Sequence, residues 1–257
     1  MTLIVALGCT DGIVMGSDSA STDSTSGTKS PVIKIQQVGT HPVLVGGSGD
    51  VGLIQRITES LNELSLNCNG RFKDTRRALK DAVLPLQRET AADFIALPLQ
   101  GFNVPPVATV MFGCIQHKVP IILEIEMGGG DTVYGESYGN FNAIGSGKPW
   151  AQAIMRPHVR AKRDLELGKI QAYRTLEDSI EIAATGLAPP IHLYTLNVAG
   201  TIAKLDPAEL ERLKKLCELW RELEREALGQ LLAPDKEVDT TIPEPSAEAN
   251  AESAGDA

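Results

Sequence analysis

The chain has 257 residues and a net charge of −9, with 42% of residues hydrophobic and 22% charged. A chain of this size buries enough surface to need no disulfide or metal staple, and no run approaches the roughly 18 apolar residues of a membrane span. Residues 206–257 hold 14 of the 33 acids and 6 of the 24 bases, so the first 205 residues are within one charge of neutral and offer no basic stripe to nucleic acid.

The opening Met1-Thr2-Leu3-Ile4-Val5 has no basic region ahead of an apolar core, which argues against a secretory signal and for a cytoplasmic protein. Cys9, Cys68, Cys114 and Cys217 have no paired spacing, which fits a reducing compartment. Leu3–Gly8 and Ile13–Gly16 are β-prone runs around Asp11-Gly12, a strong hairpin signal. Residues 20–30 read as a Ser/Thr/Gly loop, and Val32–Val38 with Pro42–Val45 as a strand pair. Helices are predicted over 50–64, where Val51, Ile54, Ile57, Leu61 and Leu64 recur at helical spacing, and over 73–94. Val107–Ile115 and Val119–Glu126 predict a second hairpin, and Thr132–Tyr134 with Phe141–Ile144 a third. Helices follow at 149–162 and 176–185, then strands at 191–196 and 201–205. Hairpins dominate and no regular βαβ alternation appears, so the pattern predicts antiparallel sheet with helices in separate layers. Residues 207–232 read as one charged helix with a stripe of Leu213, Leu216, Trp220, Leu223 and Ala227. Residues 234–257 are rich in Pro, Ala, Glu, Ser and Asp, the composition of a disordered acidic tail.

Gly47-Ser48-Gly49-Asp50-Val51-Gly52 matches the glycine fingerprint of dinucleotide sites. The second parallel strand and the acidic residue that such a site requires do not follow, so it reads as a strand-to-helix turn. His41, His117, His158 and His192 share no metal-ligand spacing, and neither cofactor nor metal is expected. Met1 precedes a small residue, which permits its removal. That would leave Thr2 with a free α-amine of pKa about 8 beside its own hydroxyl, the arrangement of a nucleophile that carries its own base. Asp18 ends the first hairpin, Lys34 lies within Val32-Ile33-Lys34-Ile35, Gly46-Gly47 ends the fourth strand, and Gly145-Ser146-Gly147 joins a strand to a helix.

Taken in order, these segments resemble proteasome β-subunits and the bacterial HslV peptidase, which are N-terminal-nucleophile hydrolases. The opening hairpin through Ser17-Asp18-Ser19, lysines 29 and 34, Pro42–Asp50, Ala143–Ala153 and Ile191–Thr195 carry the likeness over residues 2–205. Among relatives, the pattern is most similar to the β-proteobacterial proteasome homologue, with the Anbu family close behind. The resemblance implies an α+β, four-layer αββα sandwich over residues 2–205, an added helix over 206–233 and a tail over 234–257. It implies a threonine endopeptidase with Thr2 as nucleophile, Lys34 lowering the proton affinity of Thr2, and Asp18 holding Lys34. The Gly46 and Gly47 backbone would bind the oxyanion, and Ser146 would support the amine. Self-assembled, stacked rings, peptide or unfolded-protein substrates and an unfoldase partner of unknown identity are also implied. By family position, Ser21, Val32 and Leu44 would line an apolar specificity pocket. A non-catalytic ring subunit and a small-molecule amidohydrolase are the alternatives. The sequence departs from the proteasome pattern in two places. Thr185-Gly186-Leu187-Ala188-Pro189-Pro190 replaces a segment carrying Asp and Ser, and Leu3 replaces a second threonine.

Overall fold

The first hairpin forms where it is expected, but its two turn residues are Thr10 and Asp11, and Gly12 already opens the second strand opposite Cys9. The computed structural model describes residues 2–22, 29–68, 70–96, 107–126, 129–135, 139–158, 162–183 and 186–232. In it β1 (Ile4–Cys9) and β2 (Gly12–Ser17) pair antiparallel and are buried throughout. Next come β3 (Ala20–Thr22), β4 (Lys29–Pro31), β5 (Ile35–Gln37) and β6 (Val43–Gly49). Helices α1 (Val51–Asn62) and α2 (Phe72–Ala96) lead to the hairpin of β7 (Ala108–Gln116) and β8 (Val119–Ile125). Its two turn residues, His117 and Lys118, both have positive φ, the geometry that matches strand twist in a tight hairpin. Then follow β9 (Asp131–Tyr134), β10 (Phe141–Ile144), α3 (Lys148–Met155), α4 (Leu165–Ile182), β11 (His192–Asn197), β12 (Ile202–Lys204) and α5 (Pro207–Leu232).

The strands form two five-stranded antiparallel sheets, ordered β10-β1-β2-β11-β12 and β5-β6-β7-β8-β9, with β3 and β4 as a separate pair. The pleat sorts side chains into three cores. Ile4, Ala6, Ile13, Met15, Leu44, Met111 and Ile122 fill the layer between the sheets. Val43, Val45, Phe112 and Leu123 point the other way, under Leu53, Ile57 and Leu61 of α1 and Leu79 and Val83 of α2. Val5, Leu7, Val14 and Leu193 pack outward against Met155 of α3 and Ala172 and Leu176 of α4. The result is the expected α+β sandwich of four layers, helix, sheet, sheet, helix.

Several local expectations are corrected. Thr132–Tyr134 and Phe141–Ile144 are not a hairpin: β9 pairs with β8 in one sheet and β10 with β1 in the other. The chain crosses between sheets there, which alternation alone does not reveal. The loop expected over 20–30 contains β3 and β4. The strand expected over 32–38 is only β5. The helix expected over 149–162 ends at Met155, and α4 begins eleven residues before the predicted start. Its N-cap is Asp164, whose carboxylate accepts from Leu167 N–H at 2.9 Å. Similarly, the fingerprint-like run resolves into the end of β6 and a cap: Asp50 accepts from Leu53 N–H at 2.8 Å. Gly49 has φ +131, and a Cβ there would meet Val107 O at 2.0 Å, so the turn demands glycine.

The chain divides into two units, Met1–Cys217 and Glu218–Ala257. In the first, Leu213 and Cys217 of α5 are fully buried in the α3–α4 core. Lys169 Nζ reaches Glu209 at 2.8 Å and Arg212 reaches Glu166 at 2.8 Å, tying the start of α5 to α4. In the second, α5 continues to Leu232 with Leu219, Leu223, Leu228 and Leu231 exposed. The expected acidic tail at 234–257 lies outside the described residues. Among those described, no helix is long and apolar enough to cross a membrane.

Candidate active site

Thr2 lies just ahead of β1, and its backbone is pinned by three contacts from one turn. Its N–H donates to Ser146 Oγ at 3.2 Å, and its carbonyl accepts from Gly147 N–H at 3.2 Å and from the Ser146 hydroxyl at 3.4 Å. Ser146 sits in the turn between β10 and α3. Gly145 makes that turn possible, with φ +93, where a Cβ would lie 2.2 Å from Thr2 O. Because β10 pairs with β1, residues far apart in sequence meet at the end of one ladder.

Asp18 follows β2 and is fully buried. Its Oδ1 accepts from Leu3 N–H at 2.8 Å and from Lys34 Nζ at 2.6 Å, and its Oδ2 from Ala20 N–H at 3.0 Å. A buried carboxylate needs this degree of satisfaction. Its partner Lys34 precedes β5, and only 5% of its side chain is exposed. The lysine therefore faces the site rather than solvent. Burial pulls the Lys34 ammonium below the usual lysine value, and the Asp18 carboxylate opposes that pull through its charge and hydrogen bond.

A cavity of about 570 Å³ opens beside these groups, lined by Thr2, Lys34, Gly46 and Gly47 among others. The β5–β6 ladder ends at the Ile35–Gly46 pair, and β6 runs on through Gly47 and Gly49 along the cavity wall. The rest of the wall is mostly apolar, including Ala20, Val32, Val45 and Ile54, with Gln36, Gln55 and Glu59 adding polar groups. Thr2, Asp18, Lys34, Gly46, Gly47 and Ser146 are thus brought together by distances or by shared cavity wall.

The expected pocket residues are reached only in part. Val32 lines the cavity, but Leu44 is fully buried between the sheets, because the pleat turns Leu44 inward and presents Val45. The Ser21 side chain lies outside the described residues. Ser19 was not singled out in the sequence, yet it is fully buried and its hydroxyl donates to Pro190 O. That contact and the Ser19 N–H to Ala188 O bond of 3.0 Å dock the 186–190 segment against the end of β2. Leu187, only 5% exposed, joins the core with Leu3 and comes within 3.1 Å of where a Gly147 Cβ would stand. Toward the Gly147 turn, the described part of this segment presents the apolar Leu187.

The family model for proteasome subunits matches residues 2–188. The chain belongs to the proteasome subunit family. Solved structures of similar fold include the Anbu (Gly-1) mutant from Hyphomicrobium sp. strain MC1, at 18% identity and TM-score 0.69, covering 93% of this chain and 100% of that one. The helical assembly of the Anbu complex from Pseudomonas aeruginosa aligns at 16% identity and TM-score 0.70, covering 90% and 98%. Anbu (ancestral beta-subunit) from Yersinia bercovieri aligns at 14% identity and TM-score 0.69, covering 92% and 99%. At these identities the likeness is one of fold, and the two-sheet sandwich of the family accounts for it. No curated protein matches the sequence.

Proposed function

We propose that the protein is a threonine peptidase of a self-assembled proteasome-like particle, with Thr2 as N-terminal nucleophile. The observation that carries this reading is the buried Lys34–Asp18 pair, whose lysine lines the cavity that Thr2 borders. A lysine desolvated to 5% exposure is retained there where an apolar side chain would cost less.

Once residue 1 is removed, the Thr2 amine, of pKa about 8, takes the proton of its own hydroxyl as Oγ attacks the substrate carbonyl carbon. The Lys34 charge favours the deprotonated forms of both groups. The oxyanion forms beside Gly46 and Gly47, where backbone N–H groups can receive it. Collapse expels the product amine, which takes the proton held by the Thr2 amine, and leaves an ester on Thr2. Water then attacks that ester, giving its proton to the Thr2 amine, and the acid product departs as Oγ is reprotonated. Ser146, in contact with the amine, supports these transfers and does not attack. The mostly apolar cavity suits an apolar side chain next to the cleaved bond. Assembly into a homo-oligomer is supported by the family and by the helical assembly formed by the Pseudomonas Anbu complex. Unfolded chains as substrate and a cytoplasmic setting belong to the same reading.

Intact mass with and without an epoxyketone inhibitor tests it. The expected result is a chain beginning at Thr2 that gains one inhibitor mass, with both the adduct and peptide turnover lost in Thr2→Ala. A parent protein that starts at Thr2 yet neither turns over peptides nor takes the inhibitor would refute the reading. An adduct on Ser146 would refute the assigned roles.

A further inference from the structure

A second buried carboxylate has no part in the chemistry above. Glu124 lies on β8, where Leu123 and Ile125 point under α1 and α2 while Ile122 and Glu124 turn into the layer between the sheets. Glu124 is 2% exposed in a layer whose clustered side chains are apolar or aromatic, mainly Ile, Leu and Met. A carboxylate there is costly unless donors surround it. It has three: Asn142 Nδ2 at 2.8 Å, the Tyr134 hydroxyl at 2.7 Å and Lys148 Nζ at 3.3 Å.

The placement of two of these donors gives the contact its meaning. Asn142 is on β10, in the opposite sheet, and Lys148 is the first residue of α3. Between them lies the turn Gly145-Ser146-Gly147, which makes all three contacts to the Thr2 backbone. One carboxylate therefore grips both arms of the turn that holds the Thr2 amine. On that side Lys148 N–H closes the turn onto Gly145 O at 3.0 Å, and the described 186–190 segment meets it through the apolar Leu187.

We propose that Glu124 is a positioning residue, which through Asn142 and Lys148 holds Ser146 in register with the Thr2 amine. The proposal rests on Thr2 as nucleophile. Two readouts separate a failure of the one from a failure of the other. The first needs no activity: amide hydrogen exchange at Gly147 and Lys148, measured on the full-length, Thr2-starting protein. The second is steady-state kinetics across pH.

In Glu124→Gln, exchange at these two amides should speed up by about tenfold, the equivalent of one charge-assisted hydrogen bond, while the β1 and β2 amides keep their protection. kcat should fall by a similar factor with KM little changed. The acid limb of the pH profile should move to lower pH, because the ammonium form of Thr2 loses a well-placed acceptor. Lys148→Met breaks one arm from the surface side and should give the same pattern in weaker form, and it decides the matter if Glu124→Gln does not fold. Unchanged exchange at Gly147, or faster exchange spread evenly over both sheets with a proportional loss of kcat, overturns the proposal. If the parent protein is inert toward peptides and inhibitor, the functional reading fails and the exchange data alone judge whether Glu124 holds the turn.

Discussion

A lysine in the position of Lys34 has two demands placed on it. Burial favours loss of its proton, and the Asp18 carboxylate at 2.6 Å favours keeping it. Burial wins, so the Lys34 pKa lies below the usual lysine value. The folded state therefore binds this proton less tightly than the unfolded chain. Between the lowered pKa and about 10.4, this group makes stability rise with pH, and below that window its contribution is a constant penalty. Activity runs the opposite way, because the proposed mechanism needs the positive charge. Peptide turnover should rise as the Thr2 amine loses its proton, at a pH the Lys34 charge brings below the ordinary amine value of about 8, then fall as Lys34 is discharged below the usual lysine value. Lys34→Arg, whose guanidinium stays charged, should move the alkaline limb upward in whatever activity it retains. A pH–rate profile of both proteins decides this. An alkaline limb that is the same in each would remove Lys34 from the titration.

Among the elements, α5 shows how one helix divides its work. Its first half places Leu213 and Cys217 at zero exposure in the core beneath α4. Ending the chain after Asp206 removes both, and losses of this kind are typically about 2–5 kcal/mol per large side chain, or on the order of 10 °C in Tm. Ending it after Arg221 keeps them and should leave Tm nearly unchanged. Thermal unfolding of the two truncations at matched concentration tests the difference, and equal Tm values would show that α5 contributes nothing to this core.

The same scale explains what could be read in advance. The β1–β2 and β7–β8 hairpins were legible because two-residue turns, Thr10-Asp11 and His117-Lys118, join strands that pair with their sequence neighbours. β9 and β10 were not, because their partners lie in different sheets and no local signal records a crossing. At the site, Thr2, Asp18, Lys34 and Ser146 stood out as a set of motifs in order. Val45 was missed by one pleat, and Glu124 because a glutamate in Ile122-Leu123-Glu124-Ile125 looks like the polar member of an alternating strand. Only the opposing sheet turns that polar face into an interior.

For the whole molecule, the site is a product of closure. Thr2 meets Ser146 only when β10 has paired with β1, and Lys34 meets Asp18 only when the sheet containing β5 has packed on the sheet containing β2. Leu3, immediately after Thr2, is already at zero exposure, and Ile4 through Leu7 form a central strand with neighbours on both sides. An exopeptidase that grips several extended residues beyond the bond it cuts has nothing to hold once β1 is in place. Under the proposed mechanism, maturation is a race between trimming and folding: a chain that closes with residue 1 still attached is trapped with its base blocked as an amide. Purified chain retaining Met1 should resist a methionine aminopeptidase in the native state, release Met1 when unfolded in mild denaturant, and gain inhibitor reactivity after refolding. Release at equal rates from native and unfolded chains would mean that the order of events does not matter. If the race is real, the fraction of competent sites is set during synthesis, and slowing the closure of one strand raises it without altering any group in the cavity.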